Sequence, residues 1–265
     1  MGNEQKNADR FTGFADDYEA TRPRLPRYPI DVICRYLGRK PQRVIDLGSG
    51  TGLSSAVWLD VSDEVIGVEP SDDMRRIAET KAGPRLRFIK AFAHDTGLPD
   101  ACADVVVCSQ SFHWMEPVST LNEVSRLLRR GGVFAAIDFD WPPVARWEAE
   151  LAYQRMFRKV REIEASVPEI RDTFVRYPKD GHLRQIQSCG HFSYARELVF
   201  AEAEACTRER FQRMIYGQGS IQTILKKRPE LLDREIAAFH DALQQIYDDA
   251  PFPVEFCYRM RLGVK

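Results

Sequence analysis

Nine consecutive residues constrain this chain more than any others: Val44-Ile45-Asp46-Leu47-Gly48-Ser49-Gly50-Thr51-Gly52. The apolar run reads as a short buried strand, and the three alternate glycines read as a tight turn into a helix over residues 53–59. Glycines at such a turn let the backbone approach a ligand with no Cβ in the way. The turn then lies at the carboxyl end of a strand, where open α/β sheets bind their ligands.

The pattern repeats. Residues 43–47, 64–68, 85–91, 103–108 and 133–139 read as strands, and residues 71–81 and 117–130 as helices between them. Ser71 suits an N-cap, with Asp72 and Asp73 at the positive end of the helix dipole. Leu121, Val124, Leu127 and Leu128 share one face of the later helix, and Gly131-Gly132 is expected to break it. After Trp141-Pro142-Pro143 the rhythm changes. Residues 147–166 read as a long charged helix and 191–204 as a strand. Residues 207–216, 221–227 and 229–248 read as helices, and 253–264 as a last strand. The predicted fold class is α/β: a Rossmann-like, doubly wound, mostly parallel seven-stranded sheet with a helical insertion or cap. Residues 1–10 are expected to be a flexible tail. Residues 11–265 form one domain, with the insertion at about 142–183 and cap helices at about 207–250.

Composition excludes several classes. The 265 residues carry 38 basic and 39 acidic side chains, a net charge of -1, which leaves no electrostatic footprint for nucleic acid. The polar start has no apolar core of a secretory signal, and no stretch approaches the roughly 18 apolar residues of a membrane span. The six cysteines are scattered without a C-x-x-C pair, as expected for reduced thiols in a cytoplasmic protein with no zinc site. Asp138 and Asp140 lack further ligands for a metal.

Two cofactor classes compete for the glycine turn. A dinucleotide site needs G-x-G-x-x-G, but its third glycine would fall at Leu53, and the glycine stands at Gly52 instead. Asp46 repels a pyrophosphate and attracts a cationic ammonium or sulfonium. The next strand ends in Val68-Glu69-Pro70, with Glu69 placed 69 − 48 = 21 positions after Gly48. A carboxylate there can accept hydrogen bonds from both ribose hydroxyls, a feature that both cofactor classes share. Met74 suits packing on an adenine. His113-Trp114 follows the fourth strand, where His113 could act as a general base or orient an acceptor. Arg22, Arg24 and Arg27 could clamp an acceptor carboxylate, and Trp141, Trp147, Tyr153 and Phe157 suit a pocket wall.

The Asp46-x-Gly48-x-Gly50-x-Gly52 pattern resembles the first motif of class I S-adenosylmethionine-dependent methyltransferases. Three further segments make the likeness closer: Thr96-Gly97-Leu98-Pro99-Asp100, Ala103-Asp104-Val105-Val106-Val107 and Ser109-Gln110-Ser111-Phe112-His113-Trp114. Together they resemble the small-molecule methyltransferases of type 11, in particular the trans-aconitate methyltransferase-like branch. The opening Phe14-Ala15-Asp16-Asp17-Tyr18, Arg22-Pro23 and Tyr28-Pro29 is similar to that family's N-terminal segment. The likeness covers residues 11–140 well and the rest in outline. It implies that Asp46, Gly48 and Gly50 hold the methionine end and that Glu69 binds the ribose, with Ser49 and Pro70 beside them among the cofactor-binding residues. Met74, Ala93 and His94 would meet the adenine, although His94 stands where the family often has an acid. Gln110 would line the methyl-donor pocket, and Tyr18 and Arg22 would close over the cofactor.

The expectation is therefore an S-adenosylmethionine-dependent methyltransferase acting on a small-molecule acceptor, with a carboxylate among the acceptors considered and no nucleic-acid or membrane partner. A non-catalytic S-adenosylmethionine-binding protein and, behind it, an NAD-dependent oxidoreductase are the alternatives.

Overall fold

In the computed structural model, which describes residues 3–265 and their side chains from Gln5 onward, the alternating elements close into one seven-stranded sheet. The strands are β1 (Arg43–Leu47), β2 (Glu64–Val68), β3 (Leu86–Ile89), β4 (Ala103–Ser109), β5 (Leu128–Phe139), β6 (Tyr194–Cys206) and β7 (Phe252–Val264). Their spatial order is β3-β2-β1-β4-β5-β7-β6. Strands β1 to β5 pair in parallel, and β7 runs antiparallel to both β5 and β6. The order reverses between β1 and β4, so a crevice opens at their carboxyl ends.

Helices α1 (Asn3–Arg10), α2 (Ala15–Thr21) and α3 (Arg27–Leu37) precede the sheet. Within its first half lie α4 (Leu53–Val57), α5 (Asp72–Glu79) and α6 (Pro117–Leu127). Between β5 and β6 come α7 (Trp147–Ser166), α8 (Pro168–Arg171) and α9 (His182–Ser188); between β6 and β7 come α10 (Arg208–Arg213), α11 (Gly219–Lys227) and α12 (Asp233–Ile246). These two groups of helices, on either side of β6 in the chain, make up the cap. The central strands are buried on both faces, as their near-continuous Val and Ile demand, with separate apolar clusters on the two sides. No described helix is long and apolar enough to cross a membrane.

Two local expectations change. Met1 and Gly2, the start of the expected tail, lie outside the described residues, but residues 3–10 form α1 rather than a loose end. Asn7 anchors it: its side-chain amide donates to the carbonyls of Trp114 and Val175 at 2.7 and 2.8 Å and accepts from the Val175 N–H at 2.9 Å. The second change concerns Gly131-Gly132, which does not end a helix. Helix α6 already stops at Leu127, because Leu128 turns extended and pairs with Ala103. Gly131, at φ 74°, instead accommodates an irregularity inside β5.

Candidate active site

The glycine turn forms as the sequence implies. Gly48 and Ser49 both donate their backbone N–H to the Val68 carbonyl, at 2.8 and 3.1 Å, which ties the turn to β2. The glycines serve different purposes. A Cβ on Gly48, at φ 65°, would lie 2.7 Å from Ser111 Cβ and 2.8 Å from Met115 Cε, so that glycine is demanded by the protein's own packing. A Cβ on Gly50, at φ 56°, would meet only Tyr18, at 4.0 Å. The space beside Gly50 opens into a cavity of about 400 Å³, and a side chain there would fill it.

This cavity gathers most of the expected site. Tyr18, Arg22, Gly48, Gly50, Glu69, Pro70, Met74, Ala93, His94, Gln110 and His113 all line it. Glu69 is buried. Its carboxylate accepts the Gly50 N–H at 2.9 Å and the Ser71 N–H at 2.8 Å. Burial pushes its pKa up to about 7, against the pull of those two hydrogen bonds. His94 is exposed and lies against Phe92, a lining ring the sequence did not flag. Met74 packs with Phe14 and Ala15 beneath the N-terminal segment.

Asp46 and Ser49 depart from expectation: neither lines the cavity. The Asp46 carboxylate is fully buried and accepts the Ser54 and Ser55 hydroxyls at 2.6 and 2.7 Å, which pins the start of α4. Burial raises its pKa to about 6. The Ser49 hydroxyl points back toward β2, 2.8 Å from where a Cβ on Gly67 would sit. The clamp of three arginines also separates. Arg22 faces the cavity, but Arg24 is exposed and Arg27 pairs with Asp31 on the surface.

His113 is buried, with Nδ1 3.4 Å from an Asp138 carboxylate oxygen. Burial lowers its pKa to about 3, so the imidazole is neutral near pH 7. Asp138, considered for a metal, instead faces basic side chains. Lys179 Nζ lies 3.0 Å away, Arg261 Nη1 3.1 Å and His182 Nδ1 3.4 Å. Burial opposes its ionisation, but His113, His182 and Lys179 outweigh that and hold its pKa well below the carboxylate range. Asp140 pairs with Arg259 at 3.2 Å.

The opposite wall comes from the cap. Trp141, Tyr153 and Phe157 line it as expected, whereas Trp147 is 69% exposed and does not. Sequence reasoning missed Lys179, Arg161 and Arg176 on this wall and Asn7 beneath it. Isolated charges in a charged segment carry no periodic signal that separates them from solvated residues.

Comparison with known proteins agrees with this geometry. Residues 45–136 match the family model described as "Methyltransferase domain". An uncharacterized methyltransferase of Mycobacterium tuberculosis is 33% identical over 115 residues, which is 43% of this chain and 46% of that protein. A Saccharomyces cerevisiae protein ascribed S-adenosylmethionine-dependent methyltransferase activity is 31% identical over 124 residues, 44% of this chain and 43% of that one. The chain thus spans about half the length of the curated relatives it matches. In three dimensions it is similar to a protein of Anaeromyxobacter dehalogenans described as a type II methyltransferase. The TM-score is 0.67, at 23% identity over 92% of this chain and 97% of that one. Residues 45–136 are accordingly similar to a methyltransferase domain.

Proposed function

We propose that this protein transfers the methyl group of S-adenosylmethionine to a small-molecule acceptor held between the sheet and the cap. The observation that carries this reading is the open space beside Gly50, bordered by the Glu69 carboxylate, at the switch point of the sheet. When bound, the cofactor supplies a methyl group on a sulfonium, open to in-line attack. Transfer of that methyl group to the acceptor would leave S-adenosylhomocysteine as the second product.

In this reading Gly48 and Gly50 cradle the methionine end, and Tyr18 and Arg22 close over it. Glu69 and Pro70 hold the ribose; Met74, Ala93 and His94 contact the adenine. Gln110 borders the methyl donor. Asp46 and Ser49 act one layer behind, by shaping the turn. Most of the catalysis then comes from alignment of the two partners. With a pKa of about 3, His113 is a poor base near neutral pH, and we assign it the orientation of the acceptor instead. A carboxylate, the acceptor implied by the likeness to the trans-aconitate methyltransferase-like branch, would need no base. Near-neutral net charge and six unpaired cysteines support a cytoplasmic enzyme that does not act on nucleic acid.

The test is isothermal titration with S-adenosylmethionine, S-adenosylhomocysteine and NAD, on the wild type and on Glu69→Ala. Micromolar binding of the two sulfur nucleotides alone, weakened at least tenfold by the substitution, is expected. A folded protein that binds neither sulfur nucleotide, or that prefers NAD, would sink the reading. Binding without methyl transfer to any acceptor screened would favour a non-catalytic binding protein.

A further inference from the structure

We propose that the cap half of the cavity is a subsite for a ring-bearing anion, an acceptor with an ionised oxygen group beside a flat apolar body. This rests on the methyltransferase reading and adds the acceptor's chemistry to it.

The flat body follows from α7. Tyr153, Phe157, Val160 and Arg161 fall at spacings of four, seven and eight residues, and all face the cavity. The Tyr153 ring stacks on Phe157, with centroids 4.2 Å apart and planes within 16°. It is also nearly parallel to Trp141, 11° between planes at 6.2 Å. Rings so aligned form a stack, and a planar ligand extends a stack of parallel rings better than a branched chain does.

The anion follows from a surplus of donors. Arg22 Nε is buried with no hydrogen-bond partner, and its guanidinium lies 4.6 Å from the Tyr18 ring centroid and 5.7 Å from that of Trp141. Rings rather than an acid hold it. Gln110 Nε2 is likewise buried and without a partner. Its orientation is chemically determined: Lys179 Nζ can only donate and takes Gln110 Oε1 at 3.1 Å, which leaves the amide N–H groups free. Arg161, exposed at the cavity edge, has no acid within ion-pair distance among the described residues.

The acids on this side are already engaged. Glu164 holds Arg10 at 2.9 Å and Arg176 at 3.7 Å, and Asp138 holds Lys179 and Arg261. Buried N–H groups without acceptors are costly, and a ligand that supplies acceptors recovers that cost. S-adenosylmethionine brings a single carboxylate, too little for three donor side chains on two walls. The remainder fits a second anion, carboxylate or phosphate, carried by the acceptor.

The experiment titrates S-adenosylhomocysteine first, then adds probes to the loaded protein: 2-naphthoate, 2-naphthyl phosphate, 2-naphthamide and hexanoate. At least one naphthyl anion should bind tenfold or more tighter than both the neutral amide and the aliphatic acid. Which of the two anions binds better separates carboxylate from phosphate recognition. Arg161→Gln, at an exposed position, should weaken the preferred anion at least tenfold, and Arg161→Lys should restore part of the loss. The inference is overturned if the loaded protein binds amide or hexanoate as well as the naphthyl anions, or if Arg161→Gln changes nothing. Failure of S-adenosylhomocysteine itself to bind would instead strike the methyltransferase reading, and the inference with it.

Discussion

The two walls of the cavity are built from different materials. The sheet wall is mostly backbone: the turn at Gly48 and Gly50, two main-chain N–H groups that fix Glu69, and the flanking Pro70 and Ala93. The cap wall is mostly side chain, with aromatic rings and guanidinium groups projecting from helices. A backbone wall changes only if the chain path changes, so it suits a ligand that never varies. A side-chain wall can be rewritten one residue at a time while the fold stays intact, so it suits the partner that distinguishes one enzyme from another.

The comparison is broken most severely where the walls are joined. Asp138, on β5, faces Lys179 and His182 from the cap and Arg261 from β7. Asp138→Ala removes the acid partner of Lys179 and leaves Arg261 with Glu197 alone, at 2.7 Å, and is expected to cost about 3 kcal/mol in urea unfolding. A loss below about 1 kcal/mol would mean that apolar packing alone holds the cap.

Next in size is Gly50→Val. A side chain in the space beside Gly50 should lower S-adenosylhomocysteine affinity about 100-fold, about 2.8 kcal/mol at about 1.4 kcal/mol per tenfold. The left-handed backbone adds about 1–2 kcal/mol of strain, visible as a lower melting temperature. Unchanged affinity would remove the cofactor from this wall.

Glu69 sharpens the comparison through pH. In the proposed reading its ionised form accepts the ribose hydrogen bonds, and burial raises its pKa in the free protein to about 7. Cofactor binding should therefore release a proton below that value. Affinity is expected to rise with pH up to about 7, by up to tenfold per unit, and to level off above it. Glu69→Gln should lose about tenfold in affinity at pH 8 and flatten the profile; a wild-type profile flat from pH 5 to 8 would contradict the role of Glu69.

The smallest effect is expected at Trp147. The sequence suggested a wall residue, but its 69% exposure predicts that Trp147→Ala stays within about 0.5 kcal/mol in stability and leaves S-adenosylhomocysteine affinity unchanged. A measurable loss of affinity would extend the cap wall beyond the cavity described above.

The sequence was legible where chemistry and chain order coincide. The run from Val44 to Gly52 contains its own strand, turn and helix start, so the crevice could be read from neighbouring residues. Glu69 stood at the spacing that one strand-and-helix unit imposes. Even there a one-dimensional reading went too far: Asp46 precedes the glycines, but strand alternation carries its carboxylate under α4 instead of into the cavity.

What the sequence by itself determined is the sheet, its order of elements and the backbone half of the site, because strand period, glycine turns and helix caps act over a few residues. Tertiary structure alone decided the other half. It brought Asn7 against Val175, 168 positions away, and set Lys179 on Gln110, 69 positions away. It also exposed Trp147 while turning Tyr153 and Phe157 toward the cavity and setting Arg161 at its edge, all from the same helix. Such pairings depend on how helices pack over the sheet, and no local pattern specifies which polar side chain will meet another across that distance.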